Sequence, residues 1–118
     1  MKVKYSTRVV FVFKNIAIKI PLDYRGYLQG KNERKIWESY KNLGVLCPLL
    51  WEKFGVVCQR RCTPIKEIKE CDVKEIKKLI PIFNFENCDL HNPANWGTHN
   101  SSTVLLDYGI NERISKMY

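Results

Sequence analysis

Between Cys88 and Gly109 the chain reads CDLHNPANWGTHNSSTVLLDYG, gathering Asp89, His91, Asn92, Asn95 and Asp107 around a Trp-Gly pair and one short apolar run. Asn and Asp side chains satisfy neighbouring backbone groups in turns, so a polar surface loop has this composition. Two metal-binding groups joined by a hairpin have it as well. Earlier in the chain, RVVFVFKNIAIKI holds two β-rich runs separated by Lys14-Asn15. In the second run Ile16, Ile18 and Ile20 share one face, while Ala17 and Lys19 share the other. A lysine on the small-residue face of a strand is a second candidate for chemistry.

The elements that must position these groups follow from pattern. Residues 21–31, PLDYRGYLQGK, carry a Pro and two Gly and read as a loop. NERKIWESYKNLG reads as a helix capped by Asn32 and ended by Gly44, with Ile36, Trp37, Tyr40 and Leu43 at helical spacing. That places Glu33 in the first turn, where the helix dipole favours a negative charge. Residues 46–62 read as two strands joined at Glu52–Gly55. Thr63-Pro64 offers a cap with Pro at the first helical position, and IKEIKE a short helix. Asp72 with Glu75 predicts a capping-box start for VKEIKKLIPIF, with Ile76, Leu79 and Ile80 inward. TVLLDYG reads as a strand running into a turn, and INERISKMY as a closing helix. Strands, helix, strands, helices and strand in this order predict an α+β fold rather than a repeating βαβ one.

Composition narrows the class. The 118 residues make one domain with one core; 45% are hydrophobic and 27% charged. No apolar run approaches the ~20 residues of a membrane span, and the N-terminal stretch lacks a small-residue cleavage site, so no membrane partner and a cytoplasmic location are expected. Five cysteines, an odd number, suit reduced thiols. A net charge of +8 with pI near 9.3 favours phosphate-bearing partners, from nucleotides to nucleic acids.

DLHNPANWG followed by VLLDYG resembles the catalytic and metal-binding loops of protein-kinase-like phosphotransferases, with Asp89, Asn95 and Asp107-Tyr108-Gly109 in the matching places. IAIKI is similar to the strand that bears the phosphate-pairing lysine, here Lys19. NERKIW is similar to the start of the helix whose glutamate pairs with it, here Glu33. VVCQRRCTPI resembles the strand leading to the adenine-holding hinge, which makes Arg61 and Cys62 cofactor-binding. The resemblance runs over residues 8–112 and is nearest to small, divergent kinase-like proteins of bacteria and their phages. It implies a minimal kinase-like fold, residues 1–62 forming a sheet-and-helix lobe and 63–118 a truncated helical lobe. It also implies ATP and Mg²⁺ as cofactors. Lys19 and Glu33 would position phosphates, Asp89 would act as base, and Asn95 with Asp107 would hold the metal. A phosphoryl group would pass to a hydroxyl.

The departures from that pattern are specific. No G-x-G-x-x-G loop precedes Lys19, so the lid over the phosphates is absent or altered. Asn95 lies one residue further from Asp89 than the kinase motif sets it, which calls for a bulge. Nine residues follow Gly109, too few for an activation segment and peptide-docking helices. A second expectation therefore stands beside the first: a catalytically inactive kinase-like scaffold that binds a protein partner, as an inhibitor of a host enzyme or defence complex. A third is a basic nucleic-acid-binding module.

Blander readings compete at single positions. Lys19 alone is an exposed strand lysine, and Asp89 and Asn92 alone are turn residues. Cys58, Cys62, Cys71 and Cys88 with His91 and His99 have permissive zinc spacings but no paired C-x2-C knuckle, and buried inert thiols are the simpler expectation. Arg60-Arg61 reads as a solvated strand end, and Trp96 as a core aromatic or a buttress for the loop after Asp89.

Overall fold

In a computed structural model, which describes residues 2–5 (backbone only), 7–83 and 90–109, the first half of the chain builds a five-stranded antiparallel sheet. Strands β1 (Lys2–Tyr5), β2 (Arg8–Val12) and β3 (Ile16–Pro21) follow one another, rich in the β-branched and aromatic residues that suit a pleated surface. Helix α1 (Tyr24–Tyr40) then crosses the sheet, and β4 (Leu49–Lys53) and β5 (Val56–Arg60) return to it. The strand order is β1-β2-β3-β5-β4 with every neighbour antiparallel, so β5 inserts between β3 and β4.

A second sheet follows, β6-β7-β8, made of Thr63–Pro64, Trp96–His99 and Ser102–Leu105. Helix α2 (Glu70–Leu79) lies between β6 and β7 in the chain. The architecture is α+β, with two antiparallel sheets and two helices. The sheets are stitched where the lead into β4 runs beside β8: Leu105 N donates to Val45 O and Cys47 N to Leu105 O, both at 2.9 Å.

Helix α1 begins eight residues before the expected Asn32 cap. Asp23 caps it instead, accepting from Gly26 N at 3.1 Å. The stretch read as a loop is helical because Gly26 and Gly30, four apart and so on one face, are sites of close backbone approach rather than breaks. A Cβ at Gly26 would collide with Thr7 O, and one at Gly30 with Gly55 O. Glu33 consequently sits in mid-helix, fully buried, not in the first turn.

Thr63-Pro64 does not start a helix. The pair forms β6 against Gly97 and Thr98, and IKEIKE is largely irregular until α2 opens at Glu70 behind Lys69. Asp72 therefore lies within the first turn rather than at the cap. Strand β7 has no β-rich run to announce it. It forms because a tight turn at Asn100 (φ 51°) and Ser101 (φ 66°) folds it onto β8, as Phe54 and Gly55 join β4 to β5. The closing helix expected at INERISKMY lies outside the described residues.

Apolar burial concentrates where α1, α2 and the second sheet meet, around Ile36, Ile76, Ile80, Phe83, Trp96 and Leu105. The layer between α1 and the first sheet is different. Cross-strand register puts Val10, Lys19 and Val57 in one row and Val12, Ala17 and Gln59 in the next, on the face that carries Arg8. Among the described residues the buried polar side chains Arg8, Lys19, Gln29, Glu33, Glu52 and Gln59 belong to α1 or the first sheet, and the seventh, Thr7, immediately precedes β2. Burying ions costs several kcal/mol each before pairing returns any of it, so this layer is not what hydrophobic collapse alone would select.

Candidate functional site

Four charged side chains meet in that polar layer. Lys19, on the inner face of β3, places Nζ 3.1 Å from Glu33 Oε2 and 3.4 Å from Oε1. Its ammonium also donates to Leu106 O at 2.9 Å, the carbonyl immediately before Asp107. Arg8, at the start of β2, donates through Nη1 to Glu33 Oε1 and through Nη2 to Asp107 Oδ1, the latter at 2.9 Å. Two cations face two carboxylates, so the formal charges cancel. Among the described residues no buried side-chain nitrogen or oxygen lacks a partner.

Backbone geometry brings the tail to this point. Leu106 O accepts from Gln59 Nε2 at 2.8 Å as well as from Lys19, and Gly109 O accepts from Asn32 Nδ2 at 2.9 Å. Gly109 lies so close to α1 that a Cβ there would strike Gln29 O and Glu33 Cγ. Glycine after Tyr108 is therefore a packing requirement, and it holds Asp107 beside the Glu33 turn of the helix.

Exposure shows where the cluster opens. The side chains of Arg8, Lys19 and Glu33 are 5%, 7% and 0% exposed, whereas that of Asp107 is 37% exposed. Burial of its surroundings works against the Asp107 charge, yet Arg8, Lys19 and the Gly109 amide hold its carboxyl below the usual carboxylate range. Asp107 is thus the partly exposed carboxylate of the cluster, with the Arg8 guanidinium and the Lys19 ammonium on its buried side.

Of the residues singled out in the sequence, Lys19, Glu33 and Asp107 come together. Asn95 is tied only to the residue before Asp107, its backbone carbonyl accepting from Leu106 N at 2.7 Å. Asp89 lies outside the described residues. The segment just after it is held firmly: Leu90 is buried, and its carbonyl accepts from the indole of Trp96 at 2.8 Å. Asn92 is a turn residue, its Oδ1 accepting from Ala94 N at 3.0 Å. Arg61 and Cys62 follow β5 in the link between the sheets. The Arg61 guanidinium turns back to Phe13 O at 3.1 Å, and the Cys62 sulfur faces Cys47 rather than the quartet.

Of the cysteines and histidines weighed for zinc, Cys88 lies outside the described residues, and the others described form no cluster. Cys58 is on β5 and Cys71 on α2, and His91 contacts Glu70. Among the described residues no group of three or more His, Cys, Asp or Glu side chains is placed to hold a metal. Mg²⁺ asks for less, since one or two protein oxygens suffice when phosphate and water complete its shell.

Arg8 is the member sequence reasoning missed. A turn centred on Lys14-Asn15 pairs Val10 with Lys19 and Arg8 with Pro21, which sets Arg8 on the lysine face. Counting alternate residues back from that turn would have found it. Gln59, which shares Leu106 O with Lys19, was legible by the same count along β5. Compared with family models, curated proteins and solved structures, the chain shows no match.

Proposed function

We propose that this chain is a kinase-like nucleotide-binding domain whose quartet of Arg8, Lys19, Glu33 and Asp107 receives Mg-ATP. The observation that carries the reading is the convergence of Lys19 and Glu33 with the Asp107 segment, from three separate parts of the chain, in one buried layer open at Asp107. Lys19 meets phosphate oxygen as a point charge that Glu33 keeps in place. Asp107 and Asn95 would supply oxygens for Mg²⁺, which needs only one or two from the protein when phosphate and water accompany it. Transfer to a hydroxyl is positioning and charge neutralisation more than covalent chemistry. Asp89 is the base in this reading.

A thermal melt with excess Mg-ATP tests it. Ligand at a hundred times its Kd stabilises the folded state by ~2.7 kcal/mol. The wild-type melting temperature is expected to rise by several degrees and that of Asp107→Asn to rise less. No shift in the wild type, or equal shifts in both, counts against nucleotide binding at this site.

One observation favours a second reading. Arg8 already pairs with both Glu33 and Asp107 and Lys19 with Glu33, so the charges of the layer balance without any ligand. A scaffold kept for its surface, binding a protein of the host cell, needs no more than that. Capture of the same host complex by wild type and by Lys19→Ala/Asp107→Ala supports the scaffold; loss of capture in a folded double variant opposes it.

A further inference from the structure

Two thiols lie under the site rather than in it. Cys47 precedes Pro48 at the entry to β4, and Cys62 follows β5 in the link to the second sheet. The two stretches run side by side because Arg60 N donates to Pro48 O at 2.9 Å. Their sulfurs stand 2.6 Å apart, only about half an ångström beyond an S–S bond of ~2.05 Å. Cys47 is fully buried and Cys62 is 7% exposed, both packed with Val104 and Leu106. Buried cysteines ordinarily behave as small hydrophobes; these two face each other with nothing between them.

The pair is also unsymmetrical. The hydrogen bond between the two sulfurs draws the Cys62 thiol below its ordinary range against the opposing effect of burial, and the charges of Lys19 and Arg60 act in the same direction. That bond and burial push the Cys47 thiol up. Cys62 is also the less deeply buried of the two, so a soluble oxidant reaches it first.

We propose that Cys47 and Cys62 form a redox site at which a hydroperoxide drives closure of an intramolecular disulfide. The Cys62 thiolate attacks a peroxide oxygen; the O–O bond breaks, an S–O bond forms, and the departing hydroxide takes a proton to become water. Cys47 then gives up its proton and attacks the Cys62 sulfur. The S–S bond forms as the S–O bond breaks, and the second hydroxide leaves as water with that proton. Two thiols lose two electrons and one hydrogen peroxide is reduced to two waters. The product ties the link between the sheets to the entry of β4. It sits directly beneath the Asp107 segment, since Cys47 N donates to Leu105 O and Cys47 O accepts from the Tyr108 hydroxyl at 2.8 Å. The site stands whether or not the quartet binds nucleotide.

Reduced wild-type protein treated with one equivalent of hydrogen peroxide, quenched, digested without reductant and mapped by mass spectrometry tests this. The expected result is a linked peptide pair joining Cys47 to Cys62, loss of two of the five thiols, and return of both on adding dithiothreitol. Cys47→Ser is expected to stop at a Cys62 sulfenic acid that dimedone captures. The oxidised wild type is expected to melt several degrees above the reduced form, because the bridge restricts the unfolded chain. Oxidation confined to the exposed Cys71, a bridge from Cys62 to any other cysteine, or an oxidised form no more stable than the reduced one overturns the proposal. The wild-type map needs no variant to fold.

Discussion

Arg8 Nη2 stands 2.9 Å from Asp107 Oδ1, a contact between residues ninety-nine positions apart. With its other nitrogen on Glu33, this guanidinium ties the first sheet, helix α1 and the tail together at one point. The planar guanidinium presents separate nitrogens to the two carboxylates at once.

Arg8→Ala leaves fully buried Glu33 with Lys19 alone and Asp107 without its closest cation. Removing one partner of a buried ion pair costs about 3 kcal/mol or more, and most of that is expected from Glu33, because Asp107 is partly solvated. Arg8→Lys is expected to fall between alanine and wild type. Urea denaturation measures both, and a loss below ~0.5 kcal/mol for Arg8→Ala would contradict the role given to the contact.

Acid stability carries the sign of the Asp107 shift. Its folded pKa lies below the unfolded value of ~3.9, so its pairing adds stability above that pH and the contribution disappears as pH falls through the folded value. Glu52 acts in the same direction. Burial opposes its charge, but the Gly55 amide and the cations of Lys31 and Arg34 outweigh it. The stability gap between wild type and Asp107→Asn is therefore expected to be full at pH 7 and to close toward pH 2. A gap that stays constant, or widens in acid, would show that the Asp107 charge is not what the quartet stabilises.

Gly30 and Gly44 separate space from backbone strain. Alanine favours a helix by ~1 kcal/mol over glycine, yet a Cβ at Gly30 meets the backbone oxygen of Gly55, which cannot move aside as a side chain would. Gly30→Ala is expected to destabilise by about 2 kcal/mol. At Gly44 nothing lies within 4 Å, but φ is +71°, so Gly44→Ala is expected to cost roughly 1 kcal/mol from strain alone. Chemical denaturation ranks the two, and a stabilised Gly30→Ala would refute the close approach of α1 to the β4–β5 turn.

Local chemistry made much of this legible. Alternation in IAIKI put Lys19 opposite the isoleucine face, and the β-rich runs of β2, β3, β4 and β5 announced themselves. What stayed hidden depended on partners distant in sequence. Gly26 and Gly30 look like loop residues until Thr7 and Gly55 are known to press on them. The strand at Trp96–His99 exists because β8 pairs with it, and Thr63-Pro64 is a strand because β7 accepts it. Arg8 needed only the hairpin register, which pairs it with Pro21 and sets it on the lysine face.

Calorimetric titration of wild-type protein and Asp107→Asn with Mg-ATP tests the central claim most directly. Saturable binding to the wild type, weakened at least about tenfold by Asp107→Asn and by replacing Mg-ATP with ATP plus chelator, is the result expected of a metal-nucleotide site. A tenfold loss corresponds to ~1.4 kcal/mol of binding free energy. Heats indistinguishable from dilution at millimolar Mg-ATP, or equal affinities for the two proteins, would contradict it.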